Sequence, residues 1–105
     1  MAENDITMEW LMDDSIQSGT ELSLAKMTVP IGIISEKHHH TNCTETIHLI
    51  TGRIEQRIGE KLMIMSAGDT CLVPPNTSHQ TRNIGDDTAV MMVAYSAGTR
   101  IYVKD

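Results

Sequence analysis

The stretch from Gly32 to Gly52, GIISEKHHHTNCTETIHLITG, sets His38, His40 and Glu45 between two glycines. Five residues separate Gly32 from His38, one separates His38 from His40, four separate His40 from Glu45, and six more lead to Gly52. A second stretch, Gly68 to Asn83, reads GDTCLVPPNTSHQTRN and brings Pro74, Asn76 and His79. Successive side chains on a strand alternate faces, so His38 and His40 point one way and His39 the other. At roughly 3.3 Å rise per residue, His38 and His40 stand about 6.6 Å apart at the backbone. From there both rings can lean onto a metal about 2.1 Å from each nitrogen. The spacings predict one divalent ion held by two strands, with a gap of hairpin scale returning Glu45 to the site and His79 arriving from across the barrel. His38, His40, Glu45 and His79 are thus the expected metal ligands. Glu45 is also the candidate catalytic carboxylate, either a permanent ligand or a dissociating base. A purification tag would be terminal and longer, whereas this histidine run is internal and accompanied by turn residues in register. His39 and His48 face away by parity and are read as exterior or interface histidines.

Outward from these stretches, strand signals recur along the whole chain and helical periodicity does not. The expected strands are 7–12, 20–29, 35–41, 44–51, 53–58, 61–65, 69–73, 78–83, 88–96 and 99–104. Turn chemistry separates them at Ser18-Gly19, Pro30-Ile31-Gly32, Gly52, Gly59, Ala67-Gly68-Asp69, Pro74-Pro75-Asn76, Gly85-Asp86 and Gly98. Many short strands at nearly even spacing predict an all-β sandwich or barrel of the jelly-roll kind. At 105 residues there is room for one core, so a single domain over 1–105 is expected.

In Arg53–Ile58 the odd positions carry three charges and the even ones two isoleucines around Gln56, which turns Gln56 inward with the apolar face. The same parity turns Thr81 and Asn83 inward beside His79. Gln56, Thr81 and Tyr95 are the candidate substrate-binding residues, with Tyr95 and Tyr102 also considered as a separate acid or base. The strand Thr88–Tyr95 is apolar on both faces, as expected of a strand central between layers or exposed at a subunit contact, for which a homodimer is the economical answer. Trp10 suits such a contact or the core equally. The chain has no Phe and eight Met, so flexible thioethers fill gaps in the interior, and methionine beside a redox iron would risk oxidation.

A net charge of −6 and an isoelectric point near 5.2 argue against nucleic acid or an anionic membrane as partner. No segment approaches a membrane span and the acidic start is unlike a secretory signal, so a cytoplasmic location is expected. Cys43 and Cys71 lack metal-type spacing and read as reduced thiols.

The two quoted stretches resemble the paired motifs of the cupin superfamily. Gly32–Gly52 matches the first motif at each signature position, and Gly68–Asn83 matches the second, except that Asn76 stands where the family has glycine. Asparagine tolerates a left-handed backbone better than most residues, which keeps the turn. Only fifteen residues, Arg53 to Ala67, lie between the motifs, which resembles the compact single-domain microbial members (cupin type 2). The resemblance implies a double-stranded β-helix and one divalent transition metal, with iron, manganese, nickel, cobalt, zinc and copper all open. It does not fix the reaction, because the fold hosts many chemistries. Three functions therefore stand: a dioxygenase-type metalloenzyme acting on a small oxygenated organic substrate, a non-redox isomerase, cyclase or lyase, and a metabolite-binding sensor.

Overall fold

The computed structural model describes residues 5–105, and among them ten strands and no α-helix form. The expected span of 1–105 and the acidic start include residues 1–4, which lie outside the described residues. The strands are β1 (Thr7–Met12), β2 (Ser23–Val29), β3 (His38–His40), β4 (Glu45–Thr51), β5 (Arg53–Ile58), β6 (Lys61–Ser66), β7 (Thr70–Val73), β8 (His79–Asn83), β9 (Ala89–Tyr95) and β10 (Tyr102–Lys104). They build two five-stranded sheets, β1-β2-β9-β4-β7 and β10-β3-β8-β5-β6, in which adjacent strands pair antiparallel. This is the expected all-β jelly roll.

Every expected strand forms, but three are shorter by three or more residues than the sequence pattern allows. Residues 35–37 leave the ladder, where Ile34 makes an isolated bridge to Arg82 and the Ser35 N–H donates to the Thr81 carbonyl. The segment expected to begin at 99 starts its strand at Tyr102, because the Asn42 side chain pins it. The Asn42 amide donates to the Thr99 carbonyl and its Oδ1 accepts from the Ile101 N–H, both at 2.9 Å. Before Ser23, the Thr20 hydroxyl turns back to the Leu22 carbonyl at 2.7 Å.

Two turn positions depend on their residue type. Asn76 has φ 61°, the left-handed conformation expected of it, and its N–H donates to the His40 carbonyl at 2.7 Å, tying the second motif to β3. At Gly52, with φ 96°, a Cβ would stand 2.9 Å from the Ala89 Cα, so only glycine lets β4 turn into β5 against β9.

Register sorts the interior by chemistry. One row of the first sheet runs Ser23, Tyr95, Glu45, Val73, and the rows beyond it carry Ala25, Val93, Ile47 and then Met91, Leu49. In the second sheet His38 and His79 face each other, followed by Thr81 beside Gln56 and Asn83 beside Ile54. One end of the barrel is therefore polar and the other aliphatic. Ile47, Leu49, Ile54, Met91 and Val93 are fully buried, each contributing roughly 1.5–3 kcal/mol of burial. β9 is central in its sheet, with Val90, Met92 and Ala94 half-exposed on the outer face.

Candidate metal centre

Three strands, not two, supply the expected ligands, and they come from both sheets. His38 and His40 stand on β3 and His79 on its hydrogen-bonded neighbour β8, while Glu45 enters from β4 of the opposite sheet. The expectation of His79 across the barrel and Glu45 beside the first histidines is thus reversed. Parity fixed the face of each side chain, but it carries no information on which strand is its neighbour.

One donor atom from each of His38, His40, Glu45 and His79 lies within 4.8 Å of the others. Nε2 of His79 is 3.0 Å and Nε2 of His40 is 3.3 Å from Glu45 Oε1. Ligands at right angles around an ion with bonds of about 2.1 Å stand about 3.0 Å apart, so these separations are those of a coordination shell. Each ring is oriented from behind by a backbone carbonyl: His38 Nδ1 meets Glu36 O at 2.8 Å, His40 Nδ1 meets Ile101 O at 3.0 Å and His79 Nδ1 meets Thr77 O at 3.0 Å. A carbonyl only accepts, so Nδ1 carries the proton and Nε2 is left as a bare lone pair. Nε2 of His40, Nε2 of His79 and Oε1 of Glu45 are buried with no hydrogen-bond partner. The approaches to Glu45 are close enough for an ion pair but lack hydrogen-bond geometry. Buried acceptors without partners cost about 1–3 kcal/mol each, and a cation at their meeting point would satisfy all three. The residues present fit a divalent metal.

Burial pushes the Glu45 carboxyl up, but the His40 and His79 imidazoles override it and hold it at about 2. Burial pulls His38 down to about 4 against the Glu36 carbonyl. Burial also pulls His79 down, yet the Glu45 carboxylate raises it above the ordinary value of 6.5. These shifts set a pH dependence for the metal-free protein. Below pH 6.5 the unfolded chain protonates His38 before the folded one does, so stability falls from 6.5 toward about 4, and Glu45 extends the loss toward about 2. The contribution of His79 is fully present below 6.5 and is lost as pH rises through its folded value. For these groups, thermal unfolding after chelation peaks near pH 6.5; a curve still rising well above that pH would contradict the assignment.

A cavity of about 170 Å³ opens over the centre. Thr81 and Tyr95 line it together with Met8, Met27 and Arg100. The Tyr95 hydroxyl donates to Glu45 Oε2 at 3.3 Å, and burial and the Glu45 charge push its phenol well above the usual range. The Thr81 hydroxyl donates to Gln56 Oε1 at 2.6 Å. Gln56 is fully buried behind Thr81 and does not line the cavity. Tyr102 also lines it, its hydroxyl donating to Glu36 at 2.7 Å. His39 turns away to Asp105 at 2.8 Å and His48 to Thr70 at 2.7 Å. Cys43 and Cys71 are free, Cys43 being buried in the core, and Trp10 packs against that core from β1. Arg100 was missed from sequence, because it precedes β10 and strand alternation does not extend to it.

The profile of a family described as Cupin domain matches residues 25–95. An uncharacterized protein of Methanocaldococcus jannaschii is 32% identical over 76 residues, which cover 72% of this chain and 61% of that protein. Among solved structures, a recombinant oxalate oxidase in complex with glycolate superposes with a TM-score of 0.86 at 22% identity, covering 96% of this chain and 55% of that one. Oxalate decarboxylase from Bacillus subtilis superposes with a TM-score of 0.83 at 23% identity, covering 94% and 27%. The chain thus spans about three-fifths of the curated relative and about half or less of these structures. At such identities the structural likeness establishes the fold.

Proposed function

The chain belongs to the cupin domain family, and on that premise we propose that it is a metal-dependent enzyme acting on a small oxygenated organic substrate, with dioxygenase-type chemistry as the first reading. One observation carries it: donor atoms of three imidazoles and a carboxylate converge within 4.8 Å of one another, and His38, Glu45 and His79 of that group line an open cavity. A divalent ion bound there supplies Lewis acidity and, if it is iron, a site for dioxygen. The chain's own groups do the rest. His38, His40 and His79 hold the ion as neutral ligands, and Glu45 brings its charge down to about +1. A carboxyl held at about 2 is a poor proton acceptor near neutral pH, which suits Glu45 better to the role of ligand than to that of base. Tyr95 keeps its proton and orients Glu45. Thr81, its proton committed to Gln56, offers the cavity an oxygen lone pair. An apolar cavity of about 150 Å³ accommodates benzene, so a ligand of about six to ten non-hydrogen atoms is in scale here.

Met8 and Met27 on the cavity wall favour a second reading, a non-redox isomerase, cyclase or lyase, since thioethers beside activated oxygen are prone to oxidation. Turnover of enolisable and 2-hydroxy acids, followed with an oxygen electrode after loading with iron(II), manganese(II) or zinc(II), separates the two. The first reading expects oxygen uptake with iron alone. Turnover unchanged under nitrogen, and supported by zinc or manganese, selects the second. No turnover with any metal, together with an organic ligand that copurifies unchanged, would make the protein a sensor.

A further inference from the structure

The chain contains three aromatic rings of the Phe, Trp and Tyr type, and all three face one guanidinium. Cζ of Arg100 lies 5.3 Å from the Trp10 ring, 5.3 Å from Tyr95 and 5.1 Å from Tyr102. Those rings come from β1, β9 and β10, and two of them also touch the metal group: Tyr102 stacks on His38 at 4.4 Å and Tyr95 meets His40 edge-on at 5.2 Å. Arg100 lines the cavity beside Glu45 and His79. Among the described residues no carboxylate pairs with it. Glu36, which also lines the cavity, is engaged with Lys104 at 3.0 Å and with the Tyr102 hydroxyl. An arginine half-buried among rings gives up water while the rings return only part of its hydration. Such a guanidinium remains a fork of donors suited to a carboxylate.

We infer that Arg100 is the anion-binding residue of this cavity, and that the substrate is a small carboxylate whose carboxyl group it holds while neighbouring oxygens face the metal centre. The inference rests on the metal reading proposed above and narrows its substrate class. Charge agrees with it. A dication with Glu45 leaves about +1 and Arg100 adds another, while Glu36 and Lys104 cancel, so the loaded cavity favours an anion. Ile6, Met8 and Met27 line the same cavity and suit a short aliphatic remainder. Trp10, Tyr95 and Tyr102 are positioning residues that fix where the guanidinium points.

Calorimetric titration of manganese-loaded protein with glycolate and with glycolamide, its uncharged analogue, tests this. Arg100→Gln weakens glycolate about 10- to 100-fold, the loss expected for a charge-assisted contact. Its metal content and its affinity for glycolamide stay within about twofold of the parent, changes too small to count as a lost contact. Trp10→Leu weakens glycolate several-fold and Trp10→Phe restores it, with metal content unchanged in both. Glycolate binding that survives Arg100→Gln, or a loss shared equally by glycolamide, overturns the inference while leaving the metal centre standing. Should the parent take up no manganese, the metal reading fails by itself. The same pair of ligands on metal-free protein then decides for Arg100 if its removal abolishes a glycolate preference, and against it if it does not.

Discussion

Protein loaded with its metal melts about 15–30 °C above the same protein after chelation. A ligand present at about a thousand times its dissociation constant stabilises the folded state by roughly 4 kcal/mol, and in a domain of this size each kcal/mol moves the midpoint by about 4–8 °C. The structural reason lies in the polar end of the barrel. Without a cation, Nε2 of His40, Nε2 of His79 and Oε1 of Glu45 are buried acceptors facing one another. The aliphatic end, packed around Ile47, Leu49, Ile54 and Met91, is untouched by the ion, so the metal-free chain still unfolds cooperatively, only earlier. Differential scanning calorimetry with and without chelator reads the shift. Coincident curves would mean that these donors do not bind an ion tightly.

The fold was legible because its signals are local. Glycine, proline and asparagine mark the turns, and the alternation in Arg53–Ile58 and His79–Asn83 gives each strand its inner face. What could not be read is pairing. His79 sits beside His38 in one sheet and Glu45 reaches in from the other, because neighbours in a jelly roll are set by how the whole chain winds. Spacing along the sequence does not encode that. Depth was hidden in the same way. Parity turns both Gln56 and Thr81 inward, yet Thr81 reaches the cavity and Gln56 ends behind it as its hydrogen-bond partner. Arg100 precedes β10 in a segment pinned by Asn42, so strand alternation says little about it. Its aromatic surroundings come from three separate strands.

The second large effect concerns the ligands one by one. His40→Ala and His79→Ala each remove a buried donor and leave Glu45 facing a single remaining partner nitrogen at close range. Loss of a partner that merely orients a ligand lowers metal affinity by about 10- to 100-fold, and loss of the ligand itself costs more. His39→Ala removes a ring that points away toward Asp105 and leaves the four donors in place. Metal-free melting of each variant near the metal-free parent shows that the barrel still forms, since none of these rings belongs to the aliphatic core.

Elemental analysis of untagged His79→Ala beside His39→Ala, after equilibration with a limiting transition metal, addresses the convergence of four donors on one cation most directly. About one ion per chain in His39→Ala and under about a tenth of that in His79→Ala is the predicted result, as expected when a ligand is lost from one and kept in the other. Equal metal in the two variants, or loss in His39→Ala alone, would contradict it.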